Sequence, residues 1–198
     1  VNHNTIVSSI HQLRDVNRVK NYKKIIISYI GSLTNYDVNI AFIKSLKNIN
    51  RFQLQFYGDG IINKDLQNYI ENSKISNVSL SGRYERHEEL RLYANATLIN
   101  MVLYNDHINN RTCLANRLYN SALYGKPMIA LEGTYLSEII KQYNLGVILK
   151  SFNNTEEGIT NYLANFNLEE YNYGRKAFFE KVIEENQYFR DVLYAFIT

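Results

Sequence analysis

An alternation of short apolar runs with amphipathic stretches predicts an α/β domain: an open, doubly wound parallel sheet of about six strands with helices on both faces. Three observations carry that expectation. The runs KIIISYI at 24–30, TLINMVLY at 97–104 and MIAL at 128–131 are apolar without alternation, as strands covered on both faces are. Between the runs, apolar residues recur at helical spacing, as in Ile40, Ile43 and Leu46 or Leu136, Ile139 and Ile140. Glycines close the first three candidate strands in chain order, 24–30, 52–57 and 77–81, at Gly31, Gly58 and Gly82.

The bulk numbers narrow the class. A chain of 198 residues with 45% hydrophobic content can bury one sizeable core and is expected to form one domain. Lys and Arg number 22 against 19 Asp and Glu, a net charge of +3 without a concentrated basic block, so nucleic acid is not an expected partner. One cysteine, Cys113, leaves no internal disulfide framework and suits a reducing compartment. No apolar run approaches the roughly 20 residues needed to span a bilayer. The first residue is Val, and residues 1–23 are polar without clean periodicity, which reads as a linker or strap arriving from a preceding domain.

In chain order, strand 24–30 ends at Gly31-Ser32, and Asn35 or Asp37 can cap a helix carrying Ile40, Phe42, Ile43 and Leu46. A second strand, Phe52–Tyr57, ends at Gly58-Asp59-Gly60, and a helix with Leu66, Tyr69 and Ile70 follows. Residues 77–81 form a third strand, 85–94 a short charged helix and 97–104 a fourth strand. Residues 105–112, NDHINNRT, have neither strand nor helix period and read as a surface loop. The segment 116–149 is then a helix stopped by Gly125 and Pro127, strand 128–131, a helix opened by Gly133-Thr134, and strand 147–149. The tail reads as three helical pieces: one around Tyr162 and Phe166, one around Phe178 and Val182, and a terminal one over 186–198 with Phe189, Val192, Leu193 and Phe196 on one face.

Doubly wound sheets bind ligands at the carboxyl ends of their strands. The loops there are Gly31-Ser32, Gly58-Asp59-Gly60, Gly82-Arg83-Tyr84, 105–112 and Glu132-Gly133-Thr134. Gly58-Asp59-Gly60 lacks the third glycine of a dinucleotide fingerprint, and no acidic residue stands where one follows the second strand, so a tight turn is the simpler account. Gly125-Lys126-Pro127 is a helix stop rather than a phosphate loop, because Pro127 replaces the required Ser or Thr. His3, His11, His87 and His107 are scattered and no Asp-x-Asp pair occurs, so no metal site is expected. Nothing positions Cys113 with a histidine as a nucleophile, and a small residue at a helix start accounts for it. The informative group is Arg111, Thr112, Asn116, Arg117 and Asn120, on the last loop and the first turns of the next helix. A helix N-terminus with arginines suits a diphosphate. Arg83 and Arg86 can point into the same crevice.

Taken in succession, these motifs resemble the C-terminal domain of GT-B glycosyltransferases, the retaining group 1 type of bacterial polysaccharide clusters. The matching residues are Ile30-Gly31, Tyr57-Gly58-Asp59-Gly60, Val78 through Gly82, Glu88-Glu89-Leu90 with Tyr93 and Ala96, and Gly125-Lys126-Pro127, over residues 24–198. The resemblance implies a Rossmann-like nucleotide-sugar-binding domain, one half of a GT-B fold, with 186–198 as a helix crossing back to an N-terminal acceptor domain. It implies a metal-independent hexosyltransferase that is inactive as this domain alone, takes a sugar nucleotide as donor substrate and needs no cofactor. The acceptor would be a glycan or a lipid-linked glycan, and the location cytoplasmic or peripheral at the inner membrane face. The base would lie near Arg83 and Tyr84. The diphosphate would lie near Gly31, Ser32 and the helix starting about Cys113 and Leu114, with Arg111, Thr112, Asn116, Arg117 and Asn120 around it.

The chain also departs from the family pattern. Two Glu residues eight apart are common there, and their positions here hold Thr112 and Asn120. The basic pair after the first strand is replaced by Ser32 and neighbours such as Asn35 and Asp37. Arg117 matches the basic residue of an N-K-L-x-E variant and can supply that charge. A non-catalytic GT-B-like module working with another subunit is therefore the alternative reading.

Overall fold

The computed structural model describes residues 3–5, 7–14, 16 and 23–197; the remaining residues of the opening stretch, and Thr198, lie outside the described residues. Among the described residues six strands form one sheet: β1 (Ile25–Ile30), β2 (Phe52–Tyr57), β3 (Val78–Leu80), β4 (Leu98–Asn100), β5 (Met128–Leu131) and β6 (Gly146–Leu149). Their spatial order is β3-β2-β1-β4-β5-β6, and every neighbouring pair is parallel. This is the doubly wound arrangement the sequence predicts, with its switch point between β1 and β4.

Among the described residues eight α-helices accompany the sheet: α1 (Tyr36–Leu46), α2 (Asn63–Asn72), α3 (Glu89–Asn95), α4 (Ile108–Thr112), α5 (Asn116–Leu123), α6 (Tyr135–Gln142), α7 (Thr155–Ala164) and α8 (Leu168–Ile197). Alternate strand residues serve opposite layers. Ile25, Ile27 and Tyr29 of β1 join Ile129 and Leu131 of β5 in a core with α1, α2 and α7. Ile30, Met128 and Ala130 face the other way, into a core with α3, α5, α6 and α8. Val7 of the opening strap is buried in that second core.

Three expectations are corrected. The strand expected over 97–104 ends at Asn100, because the Asn100 side chain accepts the N–H of Val102 at 3.0 Å and diverts the backbone from the ladder. The loop expected over 105–112 contains helix α4, held by Arg111 N–H to His107 C=O at 3.0 Å and by the Thr112 hydroxyl to Ile108 C=O at 2.8 Å. It has no apolar period because it buries no face; Ile108 is 62% exposed. The last two helical pieces of the tail are one continuous helix, α8. Gly174 does not break it: its missing side chain lets the helix close on Tyr143 C=O, 1.8 Å from where a Cβ would stand.

Helix α5 is anchored at its far end. Gly125 takes φ +67°, Lys126 N–H bonds Ser121 C=O at 2.8 Å, and Gly125 N–H bonds Ala122 C=O at 3.4 Å, the two bonds of a Schellman cap. The buried Arg175 of α8 donates to Ala122 C=O at 2.6 Å and to Leu123 C=O at 3.0 Å, satisfying the last carbonyls of α5. The strap is tied on as well. His3 places Nδ1 2.8 Å from the Tyr119 hydroxyl and Nε2 2.7 Å from Glu185, while Asn4 donates to Asn116 at 2.9 Å.

Candidate functional site

The carboxyl ends of the strands open into a crevice of about 790 Å³ beside the switch point. Its floor is the end of β1 with Tyr29, Ile30, Gly31 and Ser32. One wall is α3 with Tyr84 and Arg86 before it, and the other is the start of α5. Of the residues expected there, Gly31, Ser32, Tyr84, Cys113, Asn116, Arg117 and Asn120 line the crevice. Arg83, Arg111, Thr112 and Leu114 do not. The first three are exposed, and Leu114 packs against the second core.

Arg117 is the central group. It sits in the first turn of α5, and its guanidinium carbon lies 3.5 Å from the centroid of the Tyr29 ring. Its Nε and Nη1 are buried and have no hydrogen-bond partner. Tyr29 cannot swing away: its hydroxyl donates to Ser32 C=O at 2.7 Å and its ring stacks on Phe56 with centroids 5.8 Å apart. Gly31 takes φ +138°, a conformation that favours glycine, and lies next to the guanidinium: a Cβ there would just touch Nη1 at 4.0 Å. A cation held over an aromatic face, with buried donors unused, is arranged to receive an anion.

The helix ends at this edge differ. Thr134 closes α6 with a capping box, accepting Ser137 N–H at 3.1 Å, and neither Gly133 nor Thr134 lines the crevice. Helix α5 starts after Ala115, which offers no capping side chain; Leu118 N–H bonds Ala115 C=O at 2.9 Å, and the positive dipole end of the helix lies at the crevice. Asp59 is occupied within its own turn, accepting Gly60 N–H at 2.8 Å and Asn63 at 2.9 Å. A Cβ on Gly58 would meet Gly31 C=O at 1.9 Å. The Gly-Asp-Gly run is thus a packing turn against the end of β1.

Asn120, which was expected in the site, forms a polar corner with Glu89 and Tyr93, which sequence reasoning did not assign to it. Asn120 donates to Glu89 at 3.3 Å. Burial holds the Tyr93 phenol far above its ordinary range, with the Glu89 charge adding to this and Arg117 and the Asn120 hydrogen bond opposing it. The Tyr84 phenol is raised by burial and by the Glu89 carboxylate, against Arg117. Burial also raises the Cys113 thiol, with Arg117 opposing, so the thiol is not an activated nucleophile. Asn4 and Thr5 of the strap, and Asn109 and Asn110 of α4, complete the walls. Glu89 stood inside a motif used for the fold; the strap residues carry no sequence signal for a site more than a hundred positions away. Among the described residues no group of three His, Cys, Asp or Glu side chains could hold a metal ion, and no helix is long and apolar enough to cross a membrane.

Neither a protein-family model nor a curated protein matches the sequence. Solved structures do match. The chain is similar to Anabaena HepE, crystallised with UDP-glucose, at 14% identity and a TM-score of 0.70 over 87% of this chain and 49% of that one. It is similar to S. aureus TarM in a complex containing UDP, at 16% identity and 0.60, over 88% of this chain and 35% of that one. The C-terminal domain of a group 1 glycosyl transferase from Francisella tularensis, LpcC, matches at 14% identity and 0.58, over 84% of this chain and 91% of that one. The chain has the fold of a GT-B glycosyltransferase C-terminal half. It spans about half the length of HepE and nearly the whole of the isolated LpcC domain. In the terms of that fold, α5 and the end of β1 frame the crevice.

Proposed function

We propose that this chain is the sugar-nucleotide donor-binding domain of a glycosyltransferase acting in assembly of bacterial surface polysaccharide. The observation that carries the reading is Arg117, stacked on Tyr29 with Nε and Nη1 buried and unpartnered beside the uncapped start of α5. A diphosphate satisfies both features at once, and HepE and TarM, which share the fold, were crystallised with UDP-glucose and UDP respectively. Charge developing on the leaving diphosphate is stabilised by Arg117 and the α5 dipole, without a metal. Tyr84 offers its ring to the base, and the acceptor, a glycan or lipid-linked glycan, sits on a separate N-terminal domain. The end of α8 exposes Val192, Leu193 and Phe196 at 50%, 46% and 88%, an apolar face suited to crossing onto that domain.

The uncharged Thr112 and Asn120 favour a second reading, a binding module that serves a partner transferase without chemistry of its own. Calorimetric titration of the chain with UDP-, GDP- and dTDP-sugars tests the first proposal. One of them binds at micromolar to submillimolar concentration if it holds; no binding by any at millimolar concentration refutes it. Donor hydrolysis or transfer by the chain joined to an acceptor domain separates the two readings.

A further inference from the structure

A second groove lies at the amino end of β6 and shares no lining residue with the crevice. It encloses about 470 Å³, inside the roughly 300–1,000 Å³ typical of small-molecule pockets. The end of α6 and the turn into β6 supply one side, with Gln142, Tyr143 and Asn144; the start of α8 supplies the other, with Glu169, Glu170 and Tyr173. The frame is fixed. A Cβ on Gly174 would stand 1.8 Å from Tyr143 C=O, so the two sides meet at backbone contact. The Tyr143 ring is held edge-on to Phe178 with centroids 5.5 Å apart. Asn144 takes φ +50°, the left-handed turn that ends α6.

Tyr173 is 78% exposed at this groove. The other exposed large apolar residues of α8 begin at Tyr188, about four turns later, so Tyr173 stands apart from that face. Glu169 and Glu170 lie one turn before it on the same side of the helix, and the small Ala177 lies one turn after. Asn167 accepts the N–H groups of both glutamates, at 3.0 and 3.3 Å, so neither carboxylate is needed to cap α8. Among the described residues neither carboxylate, nor the Gln142 or Asn144 amide, has a hydrogen-bond or ion-pair partner.

An aromatic ring bordered by two carboxylates and two amides selects its ligand by chemistry. The carboxylates repel phosphates, nucleotides and acidic lipid headgroups. An apolar segment laid there would strip water from both charges without replacing its hydrogen bonds. A pyranose meets both demands. One face of the sugar is a patch of C–H groups, which packs on the negative face of an aromatic ring, and its rim is hydroxyls. Carboxylates accept from hydroxyls in charge-assisted bonds, and amides both donate and accept. We propose that this groove is a saccharide-binding site for a neutral oligosaccharide, with Tyr173 as the stacking residue and Glu169 and Glu170 as acceptors for its hydroxyls. The inference does not depend on the donor-binding reading. Joined to that reading, it gives the domain one site for nucleotide and another, at the opposite edge of the sheet, for glycan.

The test is titration of the chain, followed by NMR, with neutral gluco-, manno- and galacto-oligosaccharides and N-acetylglucosamine oligomers. At least one should bind with a Kd in the millimolar range or below. Tyr173→Ala should weaken binding roughly three- to tenfold, the equivalent of one lost ring contact, while Tyr173→Phe stays within about twofold of the parent. Because the position is exposed, the Tm of Tyr173→Ala should stay within about 2 °C of the parent, which shows that the variant is folded. Converting both Glu169 and Glu170 to Gln should weaken binding by roughly threefold or more. Saturating UDP should not displace the oligosaccharide. No binding by any member of the panel overturns the inference, as does equal affinity in Tyr173→Ala or displacement by UDP. A dimer that Tyr173→Ala dissociates in sedimentation equilibrium, or capture of a lysine-rich peptide in place of the sugars, would assign the groove to another occupant and overturn it as well.

Discussion

Replacing Arg117 by Met separates binding from stability, because the two should move in opposite directions. Met keeps most of the stem and the contact with the Tyr29 ring but deletes the charge and the donors. Nε and Nη1 are buried without partners, and each such donor costs about 1–3 kcal/mol in the folded state. The stack on Tyr29, 3.5 Å from guanidinium carbon to ring centroid, returns about 0.5–2 kcal/mol. The crevice is open to water on one side, which softens the penalty, so the net release should sit near the low end, about 1–2 kcal/mol. For a domain of this size that is a rise of roughly 2–8 °C in Tm. Donor affinity should fall by about 1.5–3 kcal/mol, on the order of 10- to 150-fold, for one lost charged hydrogen bond to phosphate. Thermal unfolding followed by circular dichroism, without and with sugar nucleotide, reads both numbers. A variant less stable than the parent by more than about 1 kcal/mol without ligand would show that Arg117 is structural. Unchanged affinity would remove it from the site.

Two further outcomes follow from the frame around the crevice. Gly58→Ala places a Cβ 1.9 Å from Gly31 C=O at a residue with φ +136°, so urea denaturation should show a loss of at least about 2 kcal/mol; a midpoint within error of the parent would contradict the close packing of these two turns. The strap should loosen in acid: burial pushes the Glu185 carboxyl up, but the His3 hydrogen bond and charge and the Lys181 charge outweigh it and hold it below its ordinary range. A depressed carboxyl adds stability above its unfolded value of about 4.3 that is lost as pH falls through the folded value. Stability should therefore drop on acidification below that point, by less than about 1 kcal/mol from this group, and His3→Ala should flatten the drop; the same acid profile in both proteins would detach His3 from Glu185.

The strand runs, the helix stop at Gly125 and Pro127, and the capped start of α6 at Thr134 were legible because each is a local event. Apolar content over six residues, a missing N–H or a hydroxyl one turn from an amide is decided by neighbours in the chain. Even the errors are local in kind: α4 was missed because an exposed helix of five residues has no apolar face, and the end of β4 because one asparagine side chain intercepted Val102 N–H. Arg117 was recognisable as a candidate from its place at a helix start.

What the chain could not announce is which residues face one another across the crevice. Tyr29 reads as one more residue of an apolar strand until the parallel pairing sets the end of β1 beside α5 and turns its ring under Arg117. Glu89 reads as one charge among several on α3 until Asn120, 31 positions later, bonds to it. Asn4 belongs to the site only because His3 is held on Tyr119 and Glu185. By itself the sequence determined the layers, the order of the elements and the edge of the sheet where the crevice opens, since periodicity and capping act over a few residues. The tertiary structure decided the lining of the crevice, because a guanidinium laid over Tyr29 and a carboxylate bonded by Asn120 come about only when distant segments are packed together.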